Sequence, residues 1–293
     1  MMATAVEKFG TEEQKQRFLP RFVTGELRGG IGLTEPDAGT DLQGIRTRAV
    51  RDGDDYVING TKTWITNSIE GTCFALLTKT DINADPPRQG MSMFIVEKGE
   101  GFSISKRLEK LGYKGIDSGE MVFEDFRVPA ENLIGGEEGQ GFYQAVGGLE
   151  LGRINVASRS VGIAKRALDE AVRYSQERST FGKPIYKHQA IQLKLAEMAT
   201  RYEASRLLVE QAAKAYDEGR RCDLEAGMAK YHASESAIEN SLEAMRIHGG
   251  YGYSKEFIVE RLYRDAPLMA IGEGTNEMQK VIIARQLIER NKI

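Results

Sequence analysis

A single carboxylate lies between two glycines near the end of the chain, in the segment Gly272-Glu273-Gly274-Thr275-Asn276. Such a turn gives the Glu273 side chain no local packing, so an apolar pocket could raise its pKa and let it act as a base near neutral pH. Thr275 or Asn276 could cap the helix that follows and leave N–H groups facing an anion. The alternative is an ordinary loop acid in solvent, and these residues by themselves favour that alternative.

A second glycine-rich turn, Ile247-His248-Gly249-Gly250-Tyr251-Gly252-Tyr253, comes directly after a helical stripe. Three glycines within four positions end a helix and allow a ligand to approach the backbone closely. This turn is therefore a second candidate for a binding site.

Two segments in the first half of the chain could also hold a ligand. The run from Gly32 to Asp41 combines glycine, proline, hydroxyls and acids, and would either present N–H groups and hydroxyls to a polar ligand or form an ordinary connection. Trp64 is the only tryptophan, and the Thr66 hydroxyl follows two positions later on the same face of a strand. This pair suits a planar cofactor, while the alternative is that Trp64 fills the core of a small barrel.

Other catalytic patterns are not found in the sequence. No serine has glycine at both −2 and +2, and His188, His232 and His248 are far apart and outside any His-Glu-x-x-His motif. We therefore expect neither triad nor metal chemistry. The glycines of Gly136-x-x-Gly139-x-Gly141 follow a loop, which favours a hinge into a helix over a pyrophosphate cradle.

Composition limits the class of protein. The 293 residues are 41% apolar and 28% charged with a net charge of −3, and no apolar run approaches the length of a membrane span. The lack of basic excess argues against nucleic-acid binding. Two cysteines, Cys73 and Cys222, indicate a reducing compartment without a disulfide framework. We expect a soluble protein with no nucleic-acid and no membrane partner.

The distribution of glycine predicts two different halves. Of 32 glycines, 24 lie at or before Gly162, and five of the seven prolines lie at or before Pro129. Turn residues at this density indicate a β-rich half followed by a helical half. We predict three segments: residues 1–27 as the remnant of an N-terminal helical domain, residues 28–138 as a middle β domain and residues 139–293 as a C-terminal helical bundle domain.

Local patterns predict the elements of each segment. A helix begins at Thr11 and stops at Pro20. Asn59-Gly60 is the preferred pair for a type I′ hairpin turn between strands 55–58 and 61–66. Further strands at 74–78, 91–96 and 121–126 suit a small antiparallel barrel or sandwich. Apolar spacing then predicts a four-helix bundle, with helices at 141–177, 187–218, 223–248 and 275–291 and a short one at 256–265. The fold class is therefore α+β with several domains.

Taken together, these segments resemble the acyl-CoA dehydrogenase family. Its first signature is similar to Gly32-Leu33-Thr34-Glu35-x-x-Ala38-Gly39-Thr40-Asp41-x-x-Gly44, and its second to Gly249-Gly250-x-Gly252-Tyr253-x-x-Glu256 with Arg261, Arg264 and Asp265. Arg178-x-Thr180-Phe181-Gly182-Lys183 with His188-Gln189, and Glu273-Gly274-Thr275, complete the set. The resemblance covers residues 9–290, which is nearly the whole chain.

The resemblance implies an FAD enzyme that removes hydrogens from the α and β carbons of an acyl-CoA thioester. Trp64 would lie against the isoalloxazine, the Thr66 hydroxyl would approach N5, and one group of residues would reach the FAD of a neighbouring subunit, which implies a homotetramer built as a dimer of dimers. That group is Arg178, Thr180, Phe181, Gln189, Gly249 and Gly250. The other cofactor positions implied are Leu33, Thr34, Gly39, Thr40, Ile65, Arg246, Thr275 and Asn276.

The resemblance also implies the catalytic and substrate residues. Glu273 would be the catalytic base, because Gly152 occupies the alternative site on the first long helix. Thr40, Arg153 and Gly274 would contact the acyl-CoA. Electrons would pass to electron-transfer flavoprotein, in fatty-acid β-oxidation or related lipid metabolism. The compartment would be the cytoplasm in a bacterium or the mitochondrial matrix in a eukaryote.

Two departures from the family pattern leave alternatives open. Arg246 stands where many members have Gln, so it could instead pair with a neighbouring carboxylate or the cofactor. Members normally begin with a whole helical domain, and Met1-Met2 begins near its last helices, which suggests a truncated gene model. An acyl-CoA oxidase-type flavoenzyme that uses oxygen, or an inert truncated bundle protein, are the alternatives to a dehydrogenase.

Overall fold

Two units make up the fold, and the computed structural model describes residues 2–293. The first unit runs to Lys110 and continues over Lys114–Leu149; the second comprises Leu111–Tyr113 and Glu150–Ile293. The elements of the first unit are α1 Met2–Phe9, α2 Glu12–Val23, β1 Gly29–Gly32, β2 Arg48–Asp52, β3 Asp55–Thr66, β4 Cys73–Lys79, β5 Met91–Glu97, β6 Phe102–Arg107, β7 Ser118–Pro129 and α3 Gly141–Gly147.

The seven strands form one sheet in the order β1-β4-β2-β3-β7-β6, with β5 paired to β4. Strands β4 and β5 are buried on both faces, which explains their nearly continuous apolar sequences. Because side chains alternate along a strand, Cys73, Ala75 and Leu77 of β4 join a core with α1 and α2, whereas Phe74 and Leu76 join a core within the sheet. The β domain is therefore one sheet with two apolar cores.

Most strand pairs are antiparallel, as predicted, but β1 runs parallel to β4 over its whole length. A parallel pair needs a crossover connection, and here the β2–β3 hairpin lies in that connection instead of a helix. Whether two strands run parallel depends on the chain that connects them. The alternation of apolar residues within each strand therefore does not reveal it.

The predicted hairpin turn at Asn59-Gly60 is wrong. Strand β3 continues through both residues, and the turn between β2 and β3 is Gly53-Asp54, with Asp52 paired to Asp55. Gly60 has φ +151°, and a Cβ there would lie 2.6 Å from the Thr47 Cα. Gly60 is therefore required by close packing at a shift of the β3–β7 register, and not by a turn.

The N-terminal helix prediction is confirmed at its start and corrected at its end. Thr11 and Gln14 form a reciprocal capping box at the start of α2. The helix does not stop at Pro20 but continues to Val23, and the Thr24 N–H donates to the Pro20 carbonyl at 3.1 Å. A proline in the last turn removes a single helical hydrogen bond, which this helix tolerates.

The second unit is mainly helical. Its elements are α4 Leu149–Glu177, β8 Ser179–Thr180, β9 Lys183–Pro184, α5 Gln189–Asp217, α6 Asp223–His248, α7 Val259–Asp265, α8 Pro267–Ile271 and α9 Asn276–Arg290. The predicted helices 187–218, 223–248 and 275–291 agree with α5, α6 and α9 to within two residues at each end. The predicted helix 141–177 is divided at Gly148 into α3 and α4.

Helix α6 is the central helix of this unit. It contacts both α5 and α9, and its buried face is rich in alanine, including Ala229, Ala233 and Ala237. Small side chains let neighbouring helices approach closely. One core joins α4, α5 and α6 through Ile154, Ala212 and their neighbours. A four-helix bundle remains a prediction for these elements. Within residues 2–293, no helix has both the length and the apolar character to span a membrane.

The relocated turn predicts different costs for two glycine substitutions. Gly60→Ala should lower the free energy of unfolding by more than about 2 kcal/mol, because the new methyl group meets the Thr47 backbone. Gly53→Ala should cost about 1 kcal/mol, since its φ of +63° is strained for alanine but the space beside it is open. Urea unfolding followed by circular dichroism measures both; equal costs would argue for a turn at Gly60.

Candidate active site

The segment from Gly32 to Asp41 is a tight loop that is held by the buried ion pair of Glu35 and Lys62. Glu35 and Ala38 exchange two backbone hydrogen bonds, at 2.8 and 3.1 Å, which closes the turn. The Glu35 carboxylate accepts from the Arg46 N–H at 2.6 Å, the Thr47 N–H at 3.0 Å and the Lys62 ammonium at 2.8 Å. This leaves Gly39 and Thr40 exposed and Thr34 half-buried.

Lys62 joins this loop to strand β3. Its side chain is fully buried, and its ammonium also donates to the Leu33 carbonyl at 3.0 Å. Burial by itself would raise the pKa of the Glu35 carboxyl, but the Lys62 charge and the hydrogen bonds outweigh it and lower that pKa. The Thr63 N–H adds a 2.9 Å bond to the Thr34 carbonyl. Leu33 and Thr34 are thereby fixed in orientation.

Trp64 projects outward from the sheet at a bulge. The β3–β7 register shifts between Lys62 and Ile65, and Trp64 has φ +60°. Its side chain is 59% exposed, while Ile65 is buried and Thr66 is exposed. Trp64 therefore does not fill the core, and the bulge presents the indole and the Thr66 hydroxyl to the surroundings.

In the second unit, two segments far apart in sequence line one cavity of about 630 Å³. Arg178 and Thr180 line it from the β8 segment, and Gly249 and Gly250 line it from the turn after α6. Gly249 has φ +61°, and a Cβ at Gly249 or Gly250 would meet no atom within 4 Å. The backbone of this turn is therefore open to a ligand.

His248 contributes a polar atom to the same cavity. Its Nδ1 lies 2.7 Å from the Ala244 carbonyl, so Nδ1 carries the proton and donates, and burial lowers the pKa of the ring. The ring stacks on Tyr174 with 4.1 Å between centroids. The Nε2 atom is buried and has no hydrogen-bond partner among the described residues. In the neutral ring it is an acceptor, suited to a hydroxyl or amino group of a ligand.

The other predicted cofactor positions of this unit lie outside the cavity lining. Phe181 has φ +51° in the β8–β9 turn and is 97% exposed, and Gln189 is exposed at the start of α5. Arg246 donates to the Glu243 carboxylate at 2.5 Å, so it pairs with a neighbour one turn back on α6. Arg153 is buried, and its Nη1 lies 3.4 Å from the Asp223 carboxylate.

Glu273 lies in a strained turn between α8 and α9. Its φ is +58°, and that of Gly274 is +83°. Burial raises the pKa of the Glu273 carboxyl, against the opposing charges of Arg159, Lys230 and Arg153. The carboxyl group of Glu273 is therefore not in the environment of a fully solvated loop acid.

Thr275 and Asn276 begin the helix after Glu273. The Thr275 hydroxyl accepts from the Met278 N–H at 3.4 Å and caps α9, as predicted. Asn276 is 2% exposed, and its side-chain amide forms hydrogen bonds with Lys230, Ser234 and Glu235. Only the backbone of Asn276 is left for a ligand.

Sequence analysis missed Lys62, Lys230 and His248. Lys230 follows Ala226 and precedes Ala233 at helical spacing, so it stands in the small-residue stripe of α6 where a surface lysine would not be expected. That position was a readable signal. Lys62 and His248 carry no such signal, because the partners of Lys62 lie 27 and 29 residues away in the chain and the stacking of His248 on Tyr174 depends on the fold.

Comparison with known proteins decides the family. The family model for the acyl-CoA dehydrogenase middle domain matches residues 30–126, and that for the C-terminal domain matches residues 139–288. The chain belongs to the acyl-CoA dehydrogenase family. Members of this family are oxidoreductases that act on CH–CH groups.

The chain resembles individual members of the acyl-CoA dehydrogenase family over nearly its full length. It is 44% identical to an acyl-CoA dehydrogenase of Bacillus subtilis, covering 96% of this chain and 73% of that protein. It is also 44% identical to the caffeyl-CoA reductase–Etf complex subunit CarC of Acetobacterium woodii, covering 96% and 74%. The crystal structure of acyl-CoA dehydrogenase from Geobacillus kaustophilus superposes with a TM-score of 0.96 at 44% identity, covering 98% and 76%.

The exposure of Trp64 predicts a small effect on stability. Trp64→Ala should change the free energy of unfolding by less than about 1 kcal/mol, because little packing is lost. Phe74→Ala, in the core of the same sheet, should cost about 3–5 kcal/mol. Urea unfolding of the protein without added ligand, followed by circular dichroism, compares the two variants. If Trp64→Ala lowers the free energy of unfolding as much as Phe74→Ala does, Trp64 is a core residue.

Proposed function

We propose that this protein is an FAD-dependent acyl-CoA dehydrogenase that converts an acyl-CoA thioester to the trans-2-enoyl-CoA. The observation that carries the proposal is Glu273: a carboxyl group whose pKa is raised by burial, in a strained turn beside the cap of α9. Abstraction of a proton from the carbon next to a thioester requires a base of this kind.

The residues present are suited to FAD. The outward indole of Trp64 offers a flat apolar surface to a planar ring system, and the exposed Thr66 hydroxyl stands beside it. In the second unit, the cavity is lined by Arg178, whose guanidinium suits a phosphate, and by His248, whose buried Nε2 acceptor has no donor among the described residues. Leu33, Thr34, Gly39 and Thr40 would complete the flavin site, and Arg178, Thr180 and the Gly249-Gly250 turn would hold the FAD of a second subunit.

The chain's own residues would divide the chemistry between them. Glu273 would take the α-proton as a carboxylate, and its raised pKa strengthens it as a base. The Glu273 N–H would donate to the thioester oxygen, where negative charge develops. FAD, when bound, supplies the acceptor for the hydride that leaves the β carbon. Thr40, Arg153 and Gly274 would orient the CoA thioester.

We propose electron-transfer flavoprotein as the partner that reoxidises the enzyme, and a homotetramer as its assembly. One relative is named as a subunit of a complex with Etf, which supports the choice of partner. The same name describes a reductase, so related chains carry hydrogen in the opposite direction. The role of this chain in fatty-acid β-oxidation is part of the proposal.

Removing the base should stop turnover without releasing the cofactor. Glu273→Gln keeps the size of the side chain but cannot accept a proton, so turnover should fall by about 10³-fold or more while the flavin absorbance of the purified protein is unchanged. Steady-state oxidation of acyl-CoA with an artificial acceptor measures it. Glu289→Gln, on the exposed end of α9, is the control and should retain full turnover. Wild-type turnover in Glu273→Gln would reject the assignment.

The rate at which the reduced flavin is reoxidised distinguishes electron-transfer flavoprotein from oxygen as the electron acceptor. Mixed anaerobically with acyl-CoA, the protein should lose its flavin absorbance. Absorbance should return quickly with electron-transfer flavoprotein and slowly in air. Fast recovery in air alone would identify an oxidase, and no bleaching with any acyl-CoA would identify an inert protein.

A further inference from the structure

Lys230 is a buried cation on α6 that the proposed chemistry does not use. Its side chain is 0% exposed, and its ammonium lies within hydrogen-bond distance of three acceptors: the Ala270 carbonyl at 3.0 Å, the Gly274 carbonyl at 2.8 Å and the Asn276 side-chain oxygen at 2.9 Å. An ammonium has three N–H donors, so each donor has one acceptor. Such a fully satisfied group is rigidly placed.

These three acceptors belong to consecutive parts of the chain around Glu273. Ala270 is in the last turn of α8, Gly274 follows Glu273 directly, and Asn276 is the first residue of α9. One ammonium therefore joins both ends of the segment that carries Glu273 and ties them to α6. Gln279, one turn into α9, donates to the same Gly274 carbonyl at 3.1 Å.

The segment needs such support because its backbone is strained. Glu273 has a positive φ of +58°, a conformation that costs a residue with a Cβ about 1 kcal/mol or more. Strain of this kind persists only where the surrounding structure holds it. Within the described part of the chain, no hydrogen bond holds the Glu273 side chain in place.

We propose that Lys230 is a positioning residue for Glu273, holding the strained turn in the conformation from which the carboxylate reaches the substrate. The proposal rests on the proposed function in that Glu273 is taken as the base. Lys230 acts through the backbone on either side of Glu273 and not by contact with the substrate.

Charge adds a second link between the two residues. Among the described residues, the charges that face Glu273 are Arg159, Lys230 and Arg153, and those that face Lys230 are Glu277, Glu235, Glu273 and Arg153. Burial lowers the pKa of the Lys230 ammonium to about 8, so most of it is charged at pH 7. Lys230 in turn lowers the pKa of Glu273, and loss of the ammonium would raise that pKa further.

The test compares Lys230→Met with the wild-type protein, both loaded with FAD. Lys230→Met keeps the length of the side chain but removes the donor to the Ala270 carbonyl and one of the two side-chain donors to the Gly274 carbonyl. We expect kcat to fall by about 10- to 100-fold with little change in KM, because the base is displaced while the substrate still binds. The acid limb of the kcat/KM profile should move to higher pH. Hydrogen–deuterium exchange of residues 271–275, measured without substrate, should become faster.

Lys280→Met is the matched control, since it removes an exposed lysine from α9 that lies 4.7 Å from the Tyr231 ring. It should leave kcat, the acid limb and the loop exchange as in the wild type. A merely structural role for Lys230 would reduce the yield of folded protein and leave the acid limb of the remaining enzyme in place. That result, or wild-type kcat and exchange in Lys230→Met, would overturn the proposal.

Two further comparisons keep the outcome decisive. If Lys230→Met does not fold, Lys230→Gln keeps two N–H donors without the charge. It should change kcat and loop exchange in the same direction to a smaller degree, and the acid limb should still move to higher pH; wild-type values for it would overturn the proposal. If the wild-type chain oxidises no acyl-CoA, the proposed function fails, and loop exchange still decides the role of Lys230. Faster exchange in Lys230→Met would support that role, and unchanged exchange would reject it.

Discussion

In each unit, a buried lysine ammonium group holds a loop that is a candidate ligand-binding segment. A loop that presents its backbone to a ligand cannot also bury it, so it has to be fixed from the opposite side. In the β unit, Lys62 does this by donating to the Leu33 carbonyl and the Glu35 carboxylate. In the helical unit, Lys230 does it through the Ala270 and Gly274 carbonyls.

Burying an ammonium is costly, and it is tolerated only where good acceptors replace water. Both lysines meet that condition, with acceptor distances from 2.8 to 3.0 Å. Breaking either arrangement would remove donors from these acceptors. The geometry around each ammonium is therefore closely defined.

Strained residues with side chains lie in three of the candidate ligand-binding segments. Trp64, Phe181 and Glu273 all have positive φ, although none is glycine. Trp64 and Phe181 are exposed, and Glu273 is partly buried in a turn. A bulge, a tight turn and a helix junction each direct one side chain away from its own element. Such strain is common at functional sites because it places a side chain where regular structure would not.

The sequence by itself determined the division into a β half and a helical half, the long helices of the second unit, and the family. These follow from local spacing and from motifs whose residues are close in the chain. Only the tertiary structure decided that Gly60 packs against Thr47 instead of forming a turn, that β1 runs parallel to β4, and that Arg178 and Gly249 line one cavity. It also revealed the buried partners of Lys62 and Lys230. The reason is physical: three of the five acceptors around the two ammonium groups are backbone carbonyls, which every residue has, so residue types do not indicate which carbonyls a lysine will reach.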